Sequence, residues 1–278
     1  MPVLEAVVTP AGPYRLRLMA RAGVWSGALP GGRAVSAWQR SDGPVVIRAP
    51  DEPALDTARF MLALDDDTAE FHERFARDPL IGASARALVG YRPIRRATVA
   101  HAVVRAFAGQ LVESRRALAI ERAVCRACGD AVVTQDALRR LSALDLRRLG
   151  LAQHRATALA RLTGTIEFER LHEFPTSVVR ARLVRERAVG PWSVGVIAME
   201  GLGRYDHGIV GDLSLVKLYS SLTGRWVETY ETAELLAPYE EWQGLAAEIL
   251  LLGWARGLVP GASMDLARVA RRRARRAA

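Results

Sequence analysis

The stretch that decides the fold is Ala188-Val189-Gly190-Pro191-Trp192-Ser193. A helical pattern over residues 176–185 precedes it and Gly190 marks a tight turn. Pro191 stands where a new helix loses nothing by lacking an N–H. The stretch therefore predicts two helices joined by a hairpin. The free amides at the start of the second helix are a ready site for a phosphate, although a plain turn between two helices has the same pattern.

A second informative stretch is Asp206-His207-Gly208-Ile209-Val210-Gly211-Asp212-Leu213-Ser214-Leu215. It links the helix predicted over 191–200 to the next one, predicted over 213–222. Asp212 stands at the N-cap of that second helix, where backbone amides and the helix dipole favour a negative charge. A reaction that passes through a cationic intermediate uses such a charge. Capping and catalysis are compatible roles for Asp212, and both stay open at this point.

Composition and charge limit the classes of function. The chain has 278 residues, of which 50% are hydrophobic and 25% charged, as in a globular protein of about two domains. Only one of the 39 basic residues is a lysine, Lys217, so a lysine Schiff base would form there or at the N-terminal amine. The net charge of +9 fits a nucleic-acid-binding surface or an arginine-rich composition without function.

The two cysteines, Cys125 and Cys128, form a single C-x-x-C motif. Zinc and iron–sulfur sites normally need four ligands, no second cysteine pair exists, and the five histidines are scattered. A structural or incidental role is therefore favoured for these cysteines. The sequence has no apolar run of about 20 residues and no signal-peptide pattern at its N-terminus. We expect a cytoplasmic protein that does not enter a membrane.

The chain has two parts with different sequence patterns, and together they predict an α+β fold class. In the first part, short strands are predicted over 14–18, 36–40 and 45–48 and a helix over 56–64. From about residue 78 the pattern is helical, with helices predicted over 98–127, 136–144, 154–163, 176–185, 191–200, 213–222 and 242–255. A small antiparallel-sheet domain followed by an all-α part is expected. The basic run 271–276 is expected to be frayed and to add weak phosphate contacts.

Taken together, the two stretches resemble the helix–hairpin–helix DNA glycosylases. The hairpin is followed by Gly190-Pro191-Trp192 and, twenty residues after the tryptophan, by Val210-Gly211-Asp212. The pattern is most similar to the DNA-3-methyladenine glycosylase II (AlkA-type) branch. Further segments that resemble the family are Gly90-Tyr91-Arg92-Pro93, Gly109-Gln110-Leu111-Val112, and Leu149-Gly150-Leu151 with Arg155-Ala156. The resemblance covers nearly the whole chain.

The resemblance implies a fold of three parts and an activity. The parts are an N-terminal α+β domain over 1–70, a helical subdomain over 71–98 and 205–278, and a helical subdomain over 99–204 that contains the hairpin. The implied activity is that of a monomeric, monofunctional glycosylase of base excision repair. Such an enzyme flips a damaged base, here an alkylated purine, out of double-stranded DNA and hydrolyses its N-glycosidic bond. Asp212 matches the catalytic aspartate that stabilises the oxocarbenium-like transition state.

Other site residues follow from the same resemblance. Trp192 stands where bifunctional relatives such as endonuclease III carry a lysine, so β-lyase chemistry is not expected. Lys217 lies about one and a half turns beyond Asp212 and is a poor substitute. Leu111 matches the wedge that fills the gap left by a flipped base, or is a core leucine on an apolar helix. The base-pocket positions are Trp192, Val196 and Gln110.

The hairpin positions are implied to bind the DNA backbone. Ala188, Gly190 and Ser193 match positions whose amides grip a phosphate. The carbonyls that would hold a monovalent cation are those of Val184, Glu186 and Val189. No other cofactor is implied, because the four C-terminal cysteines of the iron–sulfur branch are missing.

The chain also departs from the family pattern. The family hairpin usually reads Pro-Gly-(Ile/Val)-Gly, where this chain has Arg187-Ala188-Val189-Gly190. The AlkA-type pocket carries aromatic side chains at two positions, where they would stack on cationic alkylated bases. This chain has Val196 at one of these positions and, approximately, Glu248 at the other. Tyr239 and Trp242 are either pocket or core aromatics. The alternatives are therefore another modified base, such as hypoxanthine or uracil, or a helix–hairpin–helix DNA-binding protein without catalysis.

Overall fold

The N-terminal domain is an antiparallel sheet with one helix packed on it. The computed structural model describes residues 3–41, 43–110 and 113–277. The strands are β1 (Leu4–Val8), β2 (Val24–Leu29), β3 (Arg33–Gln39) and β4 (Val45–Ala49), and their order is β1-β4-β3-β2. Alternate residues of β4 are buried, and its Ile47 lies opposite Ala37 of β3. This period of two is the pattern of a sheet with one face on a core.

The helix on this sheet is α1 (Glu52–Met61). Its N-cap is Asp51, whose carboxylate accepts the Ala54 amide at 2.8 Å, so the helix starts four residues before the predicted position. Its small residues Ala54 and Ala58 are fully buried, which lets the helix lie close to the sheet.

The strand predicted over 14–18 is wrong. Leu16–Leu18 form one turn of 3-10 helix. The side-chain amide of Gln39 accepts the Leu16 N–H at 2.7 Å and donates to the Tyr14 carbonyl at 3.1 Å. These backbone groups are therefore occupied by a side chain and do not join a strand ladder.

The remainder of the described chain is helical. Its helices are α2 (Ala69–Phe75), α3 (Gly82–Ala87), α4 (Val99–Gly109), α5 (Ser114–Ala127), α6 (Gln135–Arg139), α7 (Ala143–Arg148), α8 (Gln153–Thr165), α9 (Thr176–Leu183), α10 (Pro191–Val196), α11 (Leu213–Thr223), α12 (Thr232–Leu236), α13 (Gln243–Ala255) and α14 (Met264–Ala277). A turn of π-helix, Ile197–Gly201, directly follows α10. The α+β fold class is confirmed.

Two of the predicted helices are each divided in the structure. The run 98–127 is α4 and α5, because α4 ends at Gly109. The run 136–144 spans α6 and the start of α7, since Ser142 begins a new helix. The Ser142 hydroxyl accepts the Asp145 amide while the Asp145 carboxylate accepts the Ser142 amide, which is a capping box.

The expectation that the basic C-terminal run is frayed is wrong. It belongs to α14, which packs along α11. Ala267 and Ala270 are buried at this contact, three residues apart and so on one face of the helix. Arg271 also lies over the Trp226 ring, 5.6 Å from its centroid. An amphipathic pattern of alanines among arginines therefore forms a packed helix here.

The described residues form two hydrophobic cores, one of residues between 14 and 64 and one of residues between 71 and 267. Buried arginines connect the two. Arg92 has no exposed surface and donates to the carbonyls of Ala63, Ala11 and Pro13. The division of the helical part into two subdomains stays a prediction. Within the described residues, no helix combines the length and apolar character that a membrane crossing requires.

Candidate active site

The predicted hairpin connects α9 to α10. Gly190 is the N-cap of α10, and the Val189 amide donates to the Glu186 carbonyl at 2.8 Å inside the turn. The backbone at Gly190 is extended, with φ −103°. The first amides of α10 precede the point where helical hydrogen bonding begins, so they are free to bind an anion.

Gln110 ties the end of α4 to this hairpin. Its side-chain nitrogen donates to the Ala188 carbonyl at 2.7 Å and to the Ser193 hydroxyl at 2.6 Å. The Arg155 guanidinium in turn donates to the Gln110 carbonyl. The Gln110 amide and the Arg155 guanidinium therefore hold together three segments that lie far apart in the sequence. Gln110 was predicted to line a base pocket, and that role stays a prediction.

Asp212 and Trp192 are hydrogen-bonded to each other. The Trp192 indole N–H donates to Asp212 Oδ2 at 3.0 Å. The amides of Ser214 and Leu215 donate to Asp212 Oδ1 at 2.7 and 3.4 Å, so the predicted N-cap role is confirmed. Trp192 and Asp212 are both only partly buried. The carboxylate thus has a fixed orientation and remains open to a ligand.

Two glycines set the position of this pair. Gly211 has φ +89°, a conformation that an L side chain rarely adopts, and its amide donates to Thr232 Oγ1 at 2.7 Å. Gly195 in α10 packs against the Gly208 carbonyl so closely that a Cβ would overlap it. The loop that carries Asp212 is therefore pressed against the helix that carries Trp192.

A carboxylate of α13 lies in the same region. Glu248 is half-buried, and the Tyr91 hydroxyl donates to its Oε2 at 3.0 Å. Removal from water, together with the negative charges of Glu200 and Asp212, raises the pKa of Glu248 to about 7, against the opposing effects of the Tyr91 hydrogen bond and Arg105. The family resemblance placed this residue only approximately in the base pocket, and it gave no indication of the Tyr91 contact.

A network of charges that the sequence analysis did not identify reaches Trp192 through Arg105, since both side chains lie against Gly109. Glu121 is 3.1 Å from the His101 ring nitrogen and 2.8 Å from Arg96, which also contacts Glu200 at 3.0 Å. Arg105 lies 3.8 Å from Glu121 and 4.0 Å from Glu200. Despite burial, these partners lower the pKa of Glu121, first through the His101 hydrogen bond. Helical spacing places His101 and Arg105 on one face of α4, which is the one signal that was present.

The remaining aromatic candidates belong to the core. Tyr239 is 2% exposed and meets Phe75 edge-on, with ring centroids 5.1 Å apart. Trp242 stacks on Tyr205 at 6.0 Å. The core alternative is therefore confirmed for both, although Tyr239 lies in a 3-10 turn and not in an amphipathic α-helix.

Other predicted site residues have varied surroundings. Val196 and Ser193 are buried, at 4% and 1% exposure. The Glu186 carbonyl already accepts the Val189 amide, and Glu186 pairs with Arg161 at 2.8 Å. The predicted cation site formed by the carbonyls of Val184, Glu186 and Val189 stays a prediction. Leu111, the predicted wedge, lies outside the described residues.

The cysteines lie at the end of α5. Cys125 is buried, its sulfur is 3.7 Å from the His101 ring, and burial raises the pKa of its thiol to about 11. Burial also raises the pKa of the Cys128 thiol. Both groups are therefore poor nucleophiles at neutral pH. In the described part of the chain, no group of three or more histidines, cysteines and carboxylates is placed to hold a metal ion.

The hairpin, the N-capping Asp212 beside it and the N-terminal sheet domain together match the fold of the helix–hairpin–helix DNA glycosylases. No protein-family model matches the chain. A DNA-3-methyladenine glycosylase of Bacillus subtilis (strain 168) is 24% identical over 202 residues. These residues span 66% of this chain and 66% of that protein, so the chain matches just under two thirds of its relative's length.

Solved structures of glycosylases share the fold. A 3-methyladenine DNA-glycosylase from Archaeoglobus fulgidus has a TM-score of 0.74 at 17% identity, over 91% of this chain and 98% of that one. An 8-oxoguanine glycosylase/lyase from Clostridium acetobutylicum, in complex with double-stranded DNA, has a TM-score of 0.70 at 17% identity, over 86% and 87%.

Proposed function

We propose that this protein is a monofunctional DNA glycosylase of base excision repair, of the AlkA-type branch. It flips a damaged base, an alkylated purine, out of double-stranded DNA and hydrolyses its N-glycosidic bond. The observation that carries this proposal is the geometry of Asp212. The residue caps α11, accepts the Trp192 N–H, and is still partly open to solvent. The fold shared with known glycosylases and the match to a 3-methyladenine glycosylase support the same activity.

In the proposed reaction, Asp212 stabilises positive charge on the sugar as the bond to the base breaks. Charge develops on the sugar in the oxocarbenium-like transition state, and a fixed carboxylate near it lowers the barrier. The hydrogen bonds from Trp192 and the α11 amides orient the carboxylate before the substrate arrives. Asp212 also helps to position the attacking water. These roles need no cofactor.

Water is the proposed nucleophile, and no lyase step follows. A lyase needs an amine to form a Schiff base with the sugar, and Trp192 occupies the position of that amine in bifunctional relatives. The one lysine, Lys217, lies in the second turn of α11. Some proteins of the same fold are glycosylase/lyases, so this point needs its own test.

The hairpin is the proposed contact to the DNA backbone. The amides around Ala188, Gly190 and Ser193 would bind one phosphate, since a helix start is a site for anions. Leu111 is the proposed wedge, next to Gln110, whose amide fixes the hairpin. We also propose a monovalent cation on the carbonyls of Val184, Glu186 and Val189, so omission of potassium should weaken DNA binding.

A panel of single-lesion duplexes tests the function. Purified protein is incubated with duplexes that contain 3-methyladenine, 7-methylguanine, hypoxanthine, uracil or 8-oxoguanine, and released bases are separated by chromatography. We expect release of an alkylated purine and an intact abasic strand. Binding to an abasic-site analogue without release of any base would instead indicate a DNA-binding protein without catalysis.

A second candidate is the same reaction on another modified base. Val196 and Glu248 stand where the family's aromatic walls would stack on cationic alkylated bases, and neither side chain offers an aromatic face for such stacking. Release of hypoxanthine or uracil without release of 3-methyladenine in the same panel would select this candidate.

A further inference from the structure

Glu248 is a charged residue in an otherwise uncharged and largely buried helix. It is the one charged residue of α13, a helix whose other residues are Gln, Gly, Ala, Leu, Ile and Trp. Its neighbours Ala247 and Ile249 are fully buried. Removal of a carboxylate from water is costly unless hydrogen bonds or charges compensate it. Packing alone would favour an apolar residue at this position, so the carboxylate calls for a different explanation.

The carboxylate has only one donor within the described chain. The Tyr91 hydroxyl occupies Oε2, and Tyr91 itself is 8% exposed, so it holds Glu248 from a rigid position. Among the described residues, no arginine, lysine or histidine forms an ion pair with Glu248. The other oxygen, Oε1, therefore has an unused capacity to accept hydrogen bonds. Glu248 is also partly open to solvent, so a ligand can reach it.

The packing of α13 places this carboxylate beside the candidate site. Gly244 lies one turn before Glu248 on the same face of α13, and it packs against the carbonyls of Tyr205 and His207 in the loop that leads to Asp212. The negative charges of Asp212 and Glu200 and the positive charge of Arg105 all act on Glu248. Arg105 borders the site directly, because a Cβ on Gly109 would be 2.6 Å both from its guanidinium and from the Trp192 ring. Glu248 thus lies on the face of α13 that is turned toward the loop of Asp212, and the region between Glu248, Trp192 and Asp212 is called the recess below.

We propose that Glu248 is the specificity-determining residue of the base pocket. Its Oε1, with the carboxylate held by Tyr91, accepts a hydrogen bond from the exocyclic amino group of the flipped base. The preferred substrates are then damaged bases of the aminopurine class, such as an alkylated adenine. This inference rests on the proposed function, because it assumes that a flipped base enters this recess.

The chemistry of the recess explains the choice of an amino group. An ionised carboxylate only accepts hydrogen bonds, so it matches an amino group and opposes a carbonyl oxygen at the same place. Asp212 and Glu200 add negative potential, which further favours a donor or a cationic base. A site that uses a buried hydrogen bond rejects an analogue without the partner group, since the acceptor is then left unpaired.

Binding to uncleavable analogues tests the inference without turnover. One duplex contains 3-deaza-3-methyladenine, and a second contains the same analogue with hydrogen in place of the 6-amino group. Dissociation constants are measured by fluorescence anisotropy at pH 8, where the carboxylate is ionised. The variants are Glu248→Leu, which suits an apolar helix, Glu248→Gln, and the control Glu70→Gln on the exposed face of α2. Thermal melting verifies that each variant is folded.

The wild-type protein should bind the amino analogue about tenfold more tightly or better, as for a hydrogen bond to a charged group. Glu248→Leu should bring this ratio close to one, Glu248→Gln should reduce it at least threefold, and Glu70→Gln should keep it. A wild-type ratio near one, or a ratio that Glu248→Leu leaves intact, would overturn the inference. If the ratios behave as expected but no base is released from methylated DNA, the proposed activity fails while the assignment of Glu248 stands.

Discussion

Replacement of Asp212 by asparagine should separate the two roles of this residue. Asparagine is as good an N-cap as aspartate, so its oxygen can keep the bond to the Ser214 amide. Its NH₂ group then faces the Trp192 N–H, and two donors 3.0 Å apart replace a hydrogen bond. Because both side chains are partly exposed, we expect a stability loss of about 1 kcal/mol, at the low end of the cost of leaving a polar group unpaired.

Catalysis should respond far more strongly. Loss of one preorganised group that faces the developing charge reduces turnover by about 10²–10³. The Asp212→Asn variant should therefore melt within about 5 °C of the wild type. Its single-turnover rate of base release should fall at least about a hundredfold. Rates are measured on the best duplex of the lesion panel with enzyme in excess.

The matched control is Asp206→Asn, an exposed aspartate of the same loop. It should stay within about twofold of the wild-type rate, since surface substitutions have small effects. A rate of Asp212→Asn close to that of the wild type would refute the assignment of the catalytic charge. A large loss of melting temperature in Asp212→Asn would refute the separation of cap and catalyst.

Three further outcomes are expected. Gly195→Ala should lower the free energy of unfolding by about 1–3 kcal/mol in urea titrations, because its Cβ meets the Gly208 carbonyl; Gly164→Ala, in open space within α8, should not destabilise. Borohydride should trap no covalent complex with DNA, and Lys217→Arg should keep the wild-type rate of base release; a trapped adduct would contradict the water mechanism. Burial lowers the pKa of His72 below its ordinary 6.5, so the free energy of unfolding should be highest above pH 6.5 and should fall as the pH drops from there toward the pKa of the folded protein. His72→Asn should flatten this dependence of the melting temperature on pH, and an unchanged dependence would exclude His72 as its cause.

Local rules accounted for much of the site. Asp212 was predicted as an N-cap because capping depends on residues two or three positions along the chain, and its hydrogen bonds to Ser214 and Leu215 follow that rule. The hairpin was predicted for the same reason, since a glycine before a proline marks a turn and a helix start. The fold class followed from the change of apolar period along the chain.

Local patterns failed where a distant group competed for the backbone or the helix. Residues 14–18 alternate like a strand, but Gln39 binds their backbone groups across 23 positions. The run 98–127 looks like one helix, yet α4 ends at Gly109 and Gln110 is tied to the hairpin by Ser193. Alternation and helical period describe which residues can be buried, and tertiary hydrogen bonds decide where an element ends.

By itself, the sequence determined the charge, the single lysine, the hairpin and the capped aspartate, because these depend on composition or on neighbours along the chain. Only the tertiary structure brought the Trp192 indole to Asp212, and Tyr91 to Glu248 across 157 positions. Hydrogen bonds between distant segments leave no periodic trace in a single sequence. The surroundings of both carboxylates are therefore set by the packing of distant segments.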